Sequence, residues 1–291
     1  MGNALLGMII VLGGLVTHQF EAIIVKEYGT RRGKGGMFFN AVLCLSATIY
    51  FFVSDTGGFI LPRGVLAYGL VNSTMYAVGF YSAYVAYSAG SFGLTRLLTS
   101  FGGIITILYG IIVLKEPVSP LMLIAMVLVF VSVFLVKYEK NSDEEKTKFS
   151  FKWILSVILI IVSNALISII SKMQHSAFSD TYKNEYLIVT FLGSAFWLIV
   201  MGFIFERDSF KFTLRHGLLF GFGAGIFNGI TNVLTIVSYN FFPLSFLSPV
   251  KTGLSMTLGF LVSTVIYKET FTRRQIIGVV LGVLSAILMN L

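Results

Sequence analysis

The chain has 291 residues, 56% of them hydrophobic and 12% charged, with a mean hydropathy of +0.88. Soluble domains carry about 25% charged residues, so a water-soluble enzyme, a disordered chain and a collagen-like repeat are excluded. Lysine and arginine outnumber the acids by 21 to 13, giving a net charge of +8. Cys44 is the one cysteine, which excludes disulfides within the chain and cysteine-based metal sites.

A helix that crosses a bilayer needs about 20 apolar residues. Apolar runs bounded by charge, glycine or proline predict ten of them, at 4–25, 37–53, 65–89, 92–114, 121–136, 153–170, 186–205, 217–242, 244–267 and 276–291. Barrel strands need only about 9–11 residues, so the expected fold is all-α and polytopic in a membrane. The first run holds Thr17, His18, Gln19 and Glu21 and is followed by Arg31, Arg32 and Lys34. It reads as a retained helix, not as a cleaved signal peptide.

Charge orients the spans. The connections after spans 1, 5, 7 and 9 hold most of the lysines and arginines, among them Lys26, Arg31, Arg32, Lys34, Lys140, Lys146, Arg207, Arg215 and Arg273. The connections after spans 2, 4, 6 and 8 hold Arg63, Lys115, Lys172 and Lys183. The positive-inside rule then places the first set in the cytoplasm and both termini outside.

The polar stretch 139–150 reads as a cytoplasmic linker between two five-span halves, 1–138 and 151–291. The halves resemble each other. Ile23-Ile24-Val25-Lys26 matches Ile169-Ile170-Ser171-Lys172, which sets Thr17-His18 against Ser163-Asn164. Val85-Ala86-Tyr87 matches Val237-Ser238-Tyr239, and Lys115-Glu116-Pro117 matches Lys268-Glu269-Thr270. An odd number of spans per half makes the copies antiparallel, a 5+5 inverted repeat, which is an architecture of transporters with a site near the midplane.

Ten spans in this repeat, each half closing with a Lys-Glu turn before a short last helix, resemble the EamA type of the drug/metabolite transporter superfamily over the whole chain. The resemblance implies a basket in which spans 1–4 and 6–9 line a central cavity and spans 5 and 10 sit outside. It also implies cargo among amino acids, nucleotide sugars, sugar phosphates, cofactors or cationic drugs. Many members are described with termini inside, whereas the charges here place them outside.

Polar residues within the runs are the candidates for function. Asn228, Thr231, Asn232 and Thr235 share one face of span 8. That face serves either as interhelical glue, helped by Gly221, Gly225 and Gly229, or as a cavity lining. On span 3, Asn72, Tyr76, Phe80, Tyr84 and Tyr87 form a stripe with Tyr76 at mid-depth. Tyr76 either packs structurally or offers its π face to a ring or cation. His18 and Asn164 lie near the same depth, His18 as a buried neutral side chain or as a titratable cavity residue. It is the one histidine read as within a span, with His175 and His216 in loops.

Glu21 reads as about 6 Å from the inner end of span 1, with Arg96 at the same depth on span 4, either an ion pair at an inner gate or a snorkelling arginine. In the small multidrug branch of the same superfamily an embedded first-helix glutamate exchanges protons for cations. Lys251 lies about 10 Å into span 9 with no acid of the spans at its depth, so it either snorkels or faces a wet cavity that draws an anionic or zwitterionic solute. Sugar-phosphate translocators of the superfamily bind phosphate with lysine and arginine in this region.

The expected function is secondary active transport of a small polar metabolite, zwitterionic or anionic, by alternating access. The alternative is proton-coupled efflux of organic cations or drugs. His18 and Glu21 come without a nucleophile or metal set, so the chain reads as not an enzyme, with no cofactor and no metal. Its expected partners are the solute, membrane lipids and a coupling proton or ion, without nucleic acid, as a monomer or homodimer. The expected location is a bacterial plasma (inner) membrane, multi-pass.

Overall fold

The computed structural model describes residues 2–55, 58–89, 95, 99, 102–116, 120–137, 150–266 and 273–288. Every regular element among them is helical. The long helices are α1 (Gly2–Arg32), α2 (Gly36–Ser54), α3 (Arg63–Ala89), α4 (Gly102–Ile112), α5 (Pro120–Lys137), α6 (Phe151–Phe178), α7 (Lys183–Phe205), α8 (Leu218–Ser238), α9 (Leu244–Val265) and α10 (Arg273–Leu288). A two-turn helix, Phe210–His216, separates α7 from α8 and was not expected from the hydropathy. By length and composition α1, α2, α6, α7 and α8 are each able to cross a membrane.

The bundle is apolar outside and partly polar within. Leu5, Ile9, Leu12, Val16 and Phe20 form an exposed stripe on α1, while Gln19 and Glu21 on the same helix are buried. Water would penalise that arrangement and hydrocarbon favours it. The driest part lies between α2 and α7, where Phe39, Leu43, Phe51, Leu187, Ile188 and Phe191 are 1% exposed or less. α1 packs on α8 and α9, α2 on α7 and α8, α3 on α6 and α7, α4 on α6 and α9, and α5 on α10.

Two helices outrun their apolar runs. α1 continues past Val25 to Arg32 because Tyr28 is sheltered, stacked on Phe39 at 4.2 Å with its hydroxyl donating to the Lys34 carbonyl at 2.9 Å. α6 continues to Phe178, whose ring lies over Gly64 and Tyr68 at the start of α3. Lys172 and His175 are therefore helical, not in a loop. Conversely, α8 stops at Ser238, and residues 239–242 turn before Pro243 and α9.

Carboxylates clasp the helix starts at both ends of the bundle. At one end Glu206, just past α7, accepts the Met37 N–H at 2.9 Å. At the other, Glu116 accepts the N–H groups of Leu244 and Ser245 at 3.0 and 2.8 Å, satisfying two orphan donors of α9. Lys115 beside it takes a left-handed φ of 51°. The turn into α2 uses Gly35 at φ 72°, where a Cβ would come within 2.0 Å of Thr213 Oγ1.

α8 approaches α2 through its glycines. A Cβ on Gly221, Gly225 or Gly229 would lie 2.7 Å from Val42, 2.3 Å from the Leu43 carbonyl oxygen and 2.7 Å from Tyr50 respectively. Gly225 meets backbone, which cannot step aside. Gly225→Ala should therefore lower stability by about 1–3 kcal/mol through overpacking, read as a lower melting temperature in detergent. An unchanged melting temperature would refute this packing.

Burial raises the pKa of Glu206 above the ordinary carboxylate value, against the lowering pull of the Met37 N–H and of Lys152. A raised folded-state pKa means stability is lost as pH climbs from the ordinary value through the shifted one. Glu206→Gln should thus melt above the native protein at neutral pH, and the gap should close on acidification toward pH 4.5. A gap that widens in acid would reverse the assignment.

Candidate functional site

Alongside its glycines, α8 presents Asn228, Thr231, Asn232, Thr235 and, one turn beyond, Tyr239. Each meets a different neighbour. Thr231 Oγ1 lies 2.8 Å from Thr17 Oγ1 on α1. Asn228 Nδ2 donates to Glu21 Oε1 at 2.8 Å, and the other carboxylate oxygen of Glu21 lies 3.2 Å from His18 Nδ1. Asn232 Nδ2 donates to the Asn228 carboxamide oxygen at 2.8 Å, and the Tyr76 hydroxyl of α3 donates to Asn232 Oδ1. The donors from Tyr76 through Asn232 and Asn228 all point the same way, so the bonds polarise one another toward the Glu21 carboxylate.

Glu21 is 5% exposed and Asn228 also 5%, whereas the His18 side chain is 40% exposed. The carboxylate is thus closed off by protein on one side and reached through the imidazole on the other. The Tyr76 ring is held by Phe80 at 5.5 Å and Phe191 at 4.9 Å, so its hydroxyl is aimed by packing. Asn228 is the central residue of α8 and Tyr76 that of α3, so the chain of bonds crosses the bundle at mid-depth.

A second cluster lies toward the α8–α9 turn. Lys251 Nζ donates to Thr235 Oγ1 at 3.2 Å and lies 5.9 Å from the centre of the Tyr239 ring. Asn72 Nδ2 donates to the Tyr186 hydroxyl at 2.5 Å, and that hydroxyl lies 3.0 Å from Ser171 Oγ. Thr235 is seven residues beyond Asn228, which at 1.5 Å per residue separates the carboxylate level from the ammonium level by about 10 Å.

His18, Glu21, Tyr76, Asn228 and Asn232 are joined in one network, and Lys251 of α9 bonds Thr235 further along the same side of α8. Asn164 is not brought to them. It is exposed on α6, and its backbone carbonyl accepts from Ser168. Arg96 lies outside the described residues. Glu21 is not near a helix end as its distance from Lys26 suggested: α1 runs on to Arg32, and the glutamate sits opposite the middle of α8. Its partners are His18 and Asn228. Lys172 and His175 escaped sequence reasoning because both follow the last apolar run of the sixth span. Their spacing of three on a continuing helix was the available signal.

An all-helical bundle with an apolar exterior and hydrogen-bonded polar groups inside fits a protein embedded in a membrane. No protein-family model and no curated protein matches the chain. Among solved structures, one crystal structure of a protein superposes with a TM-score of 0.73, covering 98% of this chain and 96% of that one at 11% identity. At that identity the likeness is one of fold, and it extends along the whole length.

If Tyr76 is tied to Asn232, Tyr76→Phe should cost about 1 kcal/mol, the usual worth of an interhelical hydrogen bond in a membrane protein. In an Asn232→Leu background the same change should cost nothing, because the acceptor is already gone. Thermal unfolding of the four proteins of this cycle checks it, and equal costs in both backgrounds would dissolve the link.

Proposed function

We propose that the chain is a secondary active transporter of a small polar metabolite, zwitterionic or anionic, working by alternating access, as its resemblance to EamA-type transporters implies. One observation carries this reading. The polar face of α8 is bipolar, with a buried carboxylate bonded at Asn228 and an ammonium bonded at Thr235, about 10 Å further along the helix. Such side chains are costly in a bilayer unless they meet one another or a solute.

The helix packing supports two antiparallel halves. Exchanging each of the first five helices for its counterpart five places on turns the α1–α8, α2–α8 and α1–α9 pairs into α6–α3, α7–α3 and α6–α4, all of which occur. The alignment sets Thr17 against Ser163 and, from Val237 against Val85, Thr231 against Gly79. Thr17 bonds Thr231, and Ser163 packs on Gly79, where a Cβ would lie 3.3 Å from that of Ser163. In this reading ten helices cross a bacterial inner membrane with both termini outside. Solute movement, and not catalysis, is the activity.

The pairing of Glu21 with His18 favours a second reading, proton-coupled efflux of organic cations. Reconstitution into liposomes separates the two. Lys251→Ala should abolish uptake of anionic or zwitterionic solutes while the protein still folds, and unchanged flux would remove Lys251 from the site. Glu21→Gln should abolish proton-driven cation flux alone if the second reading holds.

A further inference from the structure

At the end of the bundle where α9 begins, α4 and α9 meet along a seam of small and polar residues. A Cβ on Gly110 of α4 would lie 3.2 Å from the Ser245 nitrogen and 3.3 Å from the Ser245 Cβ of α9. One turn deeper, the Thr106 and Ser248 hydroxyls are hydrogen-bonded to each other. Glu116, just past α4, closes the top of the seam. Its two carboxylate oxygens accept the Leu244 and Ser245 N–H groups at 3.0 and 2.8 Å, and its own N–H donates to the Gly110 carbonyl at 3.1 Å. Lys172 of α6 stands within electrostatic range of the carboxylate.

Leu244 and Ser245 open α9, so neither N–H has an acceptor within the helix. The helix dipole favours a carboxylate at this place as well. With the end closed, loss of Glu116 strands two donors away from water. With the end open, water takes the place of the carboxylate at small net cost. Glu116 therefore stabilises the closed arrangement over the open one. Lys115 beside it is held at a left-handed φ of 51°, strain of the kind found in switch segments. Ser245, Ser248 and Lys251 follow one another by threes along α9. An opening that starts at Glu116 thus runs down one side of that helix to Lys251, which bonds Thr235 of α8.

We propose that Glu116 is a gate latch, which ties the first half of the chain to α9 of the second and lets go when this end of the bundle opens to solute. This rests on the transport reading above and adds to it the place where the halves part, the α4–α9 seam. Gly110 serves the latch by leaving room for the carboxylate, which a Cβ would approach to 2.6 Å. Lys172 serves it by drawing the negative charge toward the second half.

Ser245 supplies the reporter. It is 0% exposed and its hydroxyl has no partner, so Ser245→Cys breaks no hydrogen bond and puts a thiol inside the seam. The native Cys44, also 0% exposed, lies in the core on α2 and reports any general loosening of the fold. The full chain in neutral detergent is treated with a charged maleimide, and the labelling rate of each thiol is read from the mass of its peptide. Glu116→Leu should speed labelling of the seam thiol by about tenfold or more, the worth of one charge-assisted hydrogen bond, and leave the Cys44 rate unchanged. Glu116→Gln, which keeps one acceptor, should fall between. Should Glu116→Leu not fold, Gly110→Ala, whose Cβ crowds the carboxylate, should speed the same thiol. The latch is refuted if the seam thiol labels no faster in a folded variant, or if Cys44 accelerates with it. Liposome flux keeps the two readings apart. Selective opening of the seam in a protein that moves no metabolite sinks transport and spares the latch, and metabolite flux without selective opening does the reverse.

Discussion

A carboxylate placed at the centre of an apolar bundle must find its hydrogen bonds within the protein, because hydrocarbon offers none. Glu21 meets that requirement with His18 on its own helix and Asn228 on α8. Much else follows. Bonding Glu21 to Asn228 sets the rotation and register of α1 against α8, and Thr17 then falls beside Thr231 one turn away. Asn228 passes the requirement to Asn232, and Asn232 to Tyr76, so the orientation of α3 is set by the same chain.

α8 does two jobs with adjoining stripes of one side. Its glycine face lets the backbone of α2 come close enough to close the dry layer of Phe39, Leu43 and Phe191. That rigid layer backs the Tyr76 ring through Phe191, and so aims a polar group from an apolar wall. The polar stripe carries the interhelical hydrogen bonds, meeting the Glu21 carboxylate at its middle and the Lys251 ammonium toward its C-terminal end. The order is the favourable one, since a cation belongs near a helix C-terminus.

For a transporter of the proposed kind, the clasps at the two ends acquire a meaning. Glu116 comes from the first half of the chain and holds the start of α9 in the second. Glu206 comes from the second half and holds the start of α2 in the first. In that proposal, rocking of the halves would stretch one clasp while the other stays closed. Gly110 keeps the first of these tight, since a Cβ there would lie 2.6 Å from the Glu116 carboxylate.

Spacing along the chain was enough to establish the helical class, the apolar runs and the polar face of α8, since each depends on residues a turn or so apart and on the bilayer as solvent. It also singled out His18, Glu21, Tyr76, Asn228 and Asn232 one by one. That these five form a single chain was decided by packing, because a hydrogen bond between Tyr76 and Asn232 spans 156 residues and leaves no mark in local periodicity. Packing likewise turned Asn164 outward and extended α6 through Lys172 and His175, where burial against α3 and α8 replaced the hydrophobicity that the sequence lacks there.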